Sequence, residues 1–234
     1  MSENIIKDVA NRTNGEVYIG VVGSVRSGKS TFIRRFMERK VLPLITDQDI
    51  YNKILDELPQ SGDGKTIMTV EPKFIPSNQI NVTCDDVSFN VRLVDCVGYI
   101  IPNSKGYLNE DGTNRMVKTP WFVDDISFVD AAKIGTQKVI DSHSNVGIVI
   151  TSDGSFGEFS ESDYDSVLDE VIGELQNSHI PFVIVLNTKY PNSEKALNKK
   201  QTLEEQFGVS VTILDVEQMS ETDIDELLKN ALNE

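Results

Sequence analysis

The 234-residue chain is poor in cysteine, histidine and tryptophan, with two, two and one. Cys84 and Cys96 have neither the paired spacing nor the histidine company of a zinc site, so both read as reduced, mostly buried thiols. No apolar run approaches the ~18 residues of a membrane-spanning helix, and the N-terminal MSENIIKDVANRTNGE has no basic stretch leading into an apolar one. The expectation is a soluble, cytoplasmic segment. Positive charge is also scarce: Lys plus Arg total 22 against 37 Asp plus Glu, a formal net charge of −15. Residues 151–234 hold 18 acids and 5 bases. Binding to a phosphate backbone requires clustered Lys and Arg, so a broad nucleic-acid surface is excluded, and the acidic half reads as a solvated helical surface.

Internal repeats, low-complexity tracts and dividing linkers are lacking too, so residues 1–234 read as one domain. Its 39% hydrophobic and 25% charged residues are ordinary for a globular protein. A short helix is expected around Ile5 to Asn11, a buried strand over Glu16 to Val22 and an amphipathic helix over Thr31 to Lys40. A further helix follows near Asp49 to Glu57, then a flexible Gln60 to Lys65. Strands over Gln79 to Cys84 and Ser88 to Val94 pair through a turn at Asp85 and Asp86. Residues 96–128 read as a long loop, which in a compact domain is usually functional. Strands at 146–151, 181–186 and 209–214 then alternate with helices at 130–142, 162–177, 193–206 and 222–232. That alternation predicts an α/β fold with a mostly parallel sheet covered on both faces.

Gly23-Ser24-Val25-Arg26-Ser27-Gly28-Lys29-Ser30 fits G-x-x-x-x-G-K-[ST], lying between a buried strand and an amphipathic helix as that motif requires. The phosphate cradle is assigned to these residues with Thr31. Its glycines permit a tight turn whose N–H groups face phosphate oxygens, and the helix N-terminus adds partial positive charge. Lys29 is expected to reach the β- and γ-phosphates, and the Ser30 hydroxyl to hold Mg²⁺. Strand 91–95 ends in Asp95, the expected second Mg²⁺ residue, and Gly98 can turn its N–H to the γ-phosphate. Thr69 lies where such enzymes close a segment over the γ-phosphate, and can present oxygen to Mg²⁺ and to the attacking water. Tyr99 stands where Ras-type GTPases carry a water-orienting Gln. Thr69, or a base such as Lys105 or Arg115, would have to supply that role, and slow turnover is expected. Arg26 lies near the phosphates or in solvent.

Strand PFVIVL ends in Asn187-Thr188-Lys189-Tyr190-Pro191, where guanine-specific relatives carry Asn-Lys-x-Asp. Without that aspartate a guanine preference loses its main physical basis, and adenine becomes plausible. Asn187 remains a candidate nucleotide-binding or structural residue. His143 and His179 read as helix C-terminal residues. Trp121 and Phe122 read either as a contact between subunits or as an aromatic plug over the sheet.

The blocks GVVGSVRSGKSTFIRRFME, DELPQSGDGKTIMTVEPKF, VRLVDCVGY and KTPWF together resemble the stage IV sporulation protein A family, ATPases that build the basement layer of the spore coat. The resemblance implies a three-layer P-loop NTPase with a translation-factor-type GTPase-like fold, one edge strand being antiparallel. It implies ATP as substrate, Mg²⁺ as cofactor, and hydrolysis that drives self-assembly into a static polymer. Lys29, Asp95 and Thr69 fall on the family's Walker A lysine, Walker B aspartate and first sensor threonine; its second sensor threonine is replaced by Val70. Implied partners are further copies and other spore coat morphogenetic proteins, at the forespore surface in the mother-cell cytoplasm, with membrane contact only indirect or through regions beyond this chain. Family members are about twice as long, so the chain corresponds to their N-terminal ATPase domain. A GTPase-like switch and a nucleotide-stabilised scaffold are the alternative functions.

Overall fold

A computed structural model describes residues 14–59, 72–84, 87–101, 104, 106–157 and 159–233. Six strands form the main sheet: β1 (Glu16–Gly23), β2 (Lys73–Cys84), β3 (Val87–Asp95), β6 (Val146–Ser152), β7 (Phe182–Asn187) and β8 (Val211–Leu214). They run in the order β2-β3-β1-β6-β7-β8, antiparallel only between β2 and β3. β6 and β7 are buried at every position, as strands covered on both faces must be.

Alternation along the strands sorts side chains between the two faces. Val17, Ile19 and Val21 of β1 and Val183 and Val185 of β7 face one core. This core also takes Phe32, Ile33 and Phe36 from α1 (Lys29–Phe36), Ile54 from α2 (Gln48–Glu57), and Ile224, Leu227 and Leu228 from α6 (Glu221–Asn233). Val22, Val149, Ile184 and Leu186 face the other. They meet Val139 and Ile140 of α3 (Phe128–His143), Leu168, Val171, Ile172 and Leu175 of α4 (Glu161–Ser178), and Leu203 of α5 (Glu194–Phe207). The result is a three-layer α/β fold with a mostly parallel sheet and its one antiparallel strand at an edge.

Several boundaries differ from expectation. β2 begins at Lys73, not Gln79: Pro76 lies at a register break between Ile75 and Ile80, and an edge strand tolerates proline there because its outer N–H has no ladder partner to lose. α1 begins at Lys29 because Gly28, at φ 106, takes the left-handed N-cap position, and a π-helical turn, Met37–Val41, continues it. α3 starts at Phe128, capped by the Ser127 hydroxyl, which accepts from the Asp130 N–H at 3.1 Å. The 96–128 stretch contains a ribbon of β4 (Met116–Val117) and β5 (Ile126–Ser127). Its aromatic plug is Phe128, buried with Ala131 and Ala132, while Phe122 is 49% exposed. His179 caps α4 at φ 58, and His143 ends α3 edge-on to Phe74. Cys96 is a buried free thiol whose Sγ–H donates to the Val21 carbonyl at 3.3 Å. Among the described residues no helix is long and apolar enough to cross a membrane. The expected helix at 5–11, the flexible 60–65 segment and the turn at Asp85 and Asp86 lie outside the described residues.

Candidate functional site

The C-terminal ends of β1 and β3 bring the motif residues together. Ser24 bridges to Tyr99; the Val25 N–H donates to the Tyr99 carbonyl at 2.8 Å, and the Tyr99 N–H to the Gly23 carbonyl at 3.1 Å. The loop at the end of β1 is thereby stitched to the segment that follows Asp95. Arg26 and Gly28 both take left-handed backbone, at φ 63 and 106. That curvature folds successive N–H groups towards one centre at the start of α1, where the helix end adds its positive potential.

Within this cradle Lys29 is buried, 5% exposed, and its Nζ donates to the Ser24 carbonyl at 2.6 Å. The Ser30 hydroxyl donates to Asp95 Oδ2 at 2.8 Å. Gly98 lies so close that a Cβ on it would meet the Gly23 carbonyl oxygen at 2.3 Å and Lys29 Nζ at 2.4 Å. Burial pushes the Lys29 amine below its usual value, against the attraction of Cys96 and Asp95. Burial likewise pushes the Asp95 carboxyl up, against Lys29, the Ser30 hydrogen bond and Lys73. Three oxygens here, Ser24 Oγ, Ser27 Oγ and Asp95 Oδ1, are buried without a hydrogen-bond partner. Orphaned buried oxygens are costly and rare, and mark a place where a ligand completes the bonding.

These groups fit a phosphate chain with Mg²⁺. Mg²⁺ takes one or two protein oxygens and leaves its other positions to water and phosphate; Ser30 Oγ and Asp95 are such a pair. Among the described residues no group of three or more His, Cys, Asp or Glu side chains gathers as a metal site, so nothing there resembles a zinc cage.

Other candidates lie elsewhere. Thr69, Val70 and Lys105 fall outside the described residues. Arg115 holds its guanidinium 5.0 Å over the Phe128 ring and donates to the Gly106 carbonyl at 2.9 Å, which removes it as a candidate phosphate cation in this arrangement. Arg26 is exposed, Val25 is buried against Ile101 and Tyr164, and Thr31 is half-buried on the first turn of α1. Tyr99 is buried, and its hydroxyl donates to Glu174 on α4.

Asn187 uses both ends of its amide inside the protein: Nδ2 donates to the Ser27 carbonyl at 3.0 Å, and Oδ1 accepts from the Val216 N–H at 3.2 Å. It braces the loop against the exit of β8. Thr188 is fully buried, and its hydroxyl donates to Asp153 Oδ2 at 2.6 Å. Against the opposing effect of burial, hydrogen bonds from Ser155 and Thr188 hold the Asp153 carboxyl below its usual value. Tyr190 is 64% exposed. Two features were missed in the sequence. Asp153 pairs with a residue 35 positions away, which no local spacing signals; Lys73 stands opposite Asp95 across the antiparallel pair and was hidden by the late start assigned to β2.

The profile described as Stage IV sporulation protein A, ATPase domain, matches residues 1–234. The chain belongs to that family. Stage IV sporulation protein A of Bacillus subtilis (strain 168) is 47% identical over 232 residues, covering 99% of this chain and 47% of the relative. The Clostridioides difficile (strain 630) protein of that name is 47% identical over 233 residues, with the same coverage. That of Bacillus anthracis is 46% identical over 232 residues, again 99% and 47%. The chain thus spans about half the length of these sporulation protein A relatives. A crystal structure of an SsGBP variant covers 97% of this chain and 62% of its own at 15% identity and a TM-score of 0.45, too distant to bear on function.

Proposed function

We propose that this chain hydrolyses ATP with Mg²⁺, and that in the longer protein the turnover drives self-assembly of the spore coat basement layer. The observation that carries the chemistry is the Ser30–Asp95 pair at 2.8 Å beside the buried Lys29, surrounded by the orphaned oxygens of Ser24, Ser27 and Asp95. Lys29 would leave the Ser24 carbonyl for the β- and γ-phosphates, exchanging a neutral acceptor for an anionic one. The Gly98 N–H would face the γ-phosphate, and Thr69 would orient the attacking water. Ser30 and Asp95 would hold Mg²⁺, whose charge would shield the phosphate oxygens and the negative charge developing on them. With Tyr190 in place of a carboxylate, a guanine preference loses its main physical basis and adenine is admitted. The family supports a sporulation role, and the setting we propose with it is self-association and binding to other coat morphogenetic proteins, at the forespore surface in the mother-cell cytoplasm, with membrane contact indirect or through other regions.

Phosphate release from the 234-residue chain with ATP and with GTP, Mg²⁺ present, tests the reading against Lys29→Ala. ATP turnover exceeding GTP turnover, and abolished in the variant, is the expected result. Equal release by Lys29→Ala would overturn it.

A further inference from the structure

Lys73 opens β2 and stands directly opposite Asp95 in the antiparallel register. Residues paired in this way project to the same face of a sheet with Cβ atoms about 5 Å apart. Lys73 therefore shares the face on which Asp95 meets Ser30. β3 lies between β2 and β1 in the sheet. Lys29, from the loop after β1, and Lys73, from β2, accordingly flank Asp95 on opposite sides. Lys29 is buried and close to the loop carbonyl of Ser24, whereas Lys73 is exposed and approaches from the side away from the phosphate loop.

Among the described residues, two other candidates near the site are committed elsewhere. The Tyr99 hydroxyl is turned to Glu174, and the Arg115 guanidinium lies on Phe128. We propose that Lys73 is a phosphate-reading residue: it balances Asp95 until a divalent cation arrives there, then contacts the terminal phosphate of the bound nucleoside triphosphate. A divalent cation on Asp95 repels a neighbouring ammonium. The lysine stem carries three donors on four flexible carbons, and a terminal phosphate bound beside Lys29 and Asp95 would lie within that stem's reach across Asp95. A nucleoside diphosphate lacks that group, so Lys73 distinguishes triphosphate from diphosphate.

This inference rests on the nucleotide-hydrolase reading, and the test separates the two. Affinities for fluorescent ADP and for a fluorescent non-hydrolysable ATP analogue, both with Mg²⁺, are measured on wild type, Lys73→Ala, Lys73→Gln and Lys73→Arg. Thermal unfolding of each variant verifies the fold. Loss of a charge-assisted contact predicts that the Ala and Gln variants bind the analogue roughly tenfold or more weakly, with ADP affinity within about twofold of wild type; Arg restores part of the loss. Analogue and ADP affinities that fall together, or do not change, would make Lys73 no more than a counter-charge to Asp95 and overturn the inference alone. A wild type that binds neither nucleotide overturns both readings.

Discussion

Gly98→Ala tests the geometry at the centre of the site. Gly98 has φ +87, and an added Cβ would lie 2.3 Å from the Gly23 carbonyl oxygen, 2.4 Å from Lys29 Nζ and 3.0 Å from Lys29 Cε. The lysine tip can swing away, but the Gly23 carbonyl cannot: it ends a strand paired with Ile150 and accepts the Tyr99 N–H at 3.1 Å. Left-handed backbone costs an alanine about 1–2 kcal/mol, and overpacking a fixed carbonyl adds about 1–3 kcal/mol. At about 2–4 °C per kcal/mol for a chain of this size, Tm should fall by roughly 10 °C. Gly112→Ala is the control, because Gly112 has a similar φ of +81 with nothing within 4 Å of its added Cβ; it carries the backbone cost alone. Thermal unfolding by circular dichroism reads both variants, and nucleotide titration follows the displacement of Lys29. A Gly98→Ala protein that melts with Gly112→Ala and binds nucleotide like wild type would refute the close contact.

Asn187→Ala removes the brace between Ser27 and Val216 and leaves a buried carbonyl and N–H without partners, so urea unfolding should show a loss of about 2–4 kcal/mol; nucleotide affinity should fall with it. Glu174→Gln tests a pH dependence. Burial and the nearby Glu170 hold the Glu174 carboxyl above its usual 4.5, outweighing the Tyr99 hydrogen bond that pulls it down. A raised pKa gives stability that is fully present below about pH 4.5 and lost as pH rises through the folded-state value. Gln still accepts from Tyr99 and does not ionise, so the variant should match wild type at pH 4 and be more stable at pH 7.5. The group is half-exposed, so solvent screening keeps the gain below about 1 kcal/mol; a constant difference between the two pH values would contradict the assignment.

The interior strands were legible because a covered parallel sheet writes itself as short β-branched runs: IVIT and PFVIVL can hardly be anything else between amphipathic helices. The candidate phosphate loop could be located because its motif is local, with two glycines, a lysine and a serine at fixed spacing. Where contacts are distant in sequence, that local pattern is no guide. Strand β2 was under-read because Pro76 interrupts its alternation, although at an edge the interruption costs little. The β4–β5 ribbon has two residues in each strand, too few to show a period of two. In sequence Thr188 shows only that it stands where guanine-specific relatives carry Lys; its role is set by Asp153 at the end of another strand, and only the fold brings those ends together. The same holds for Lys73 and Asp95, joined by register alone.

The strand end Asn187-Thr188-Lys189-Tyr190 separates two jobs that the guanine-reading motif combines. Holding the phosphate loop needs an amide that both donates and accepts, and Asn187 does this between Ser27 and Val216. Reading guanine needs a carboxylate that accepts two adjacent N–H groups. Thr188 instead turns inward: its hydroxyl donates to Asp153 and accepts the Tyr190 N–H at 3.1 Å, so the loop keeps its turn through internal bonds rather than through a base. Lys189 lies 5.3 Å from the Phe156 ring centroid, and Tyr190 offers solvent a phenol with one hydroxyl. A single hydroxyl cannot replace a bidentate anion. On the ATPase reading, this edge lacks the bidentate contact that would demand guanine, while the brace at Asn187 holds the candidate phosphate loop through bonds that involve no base.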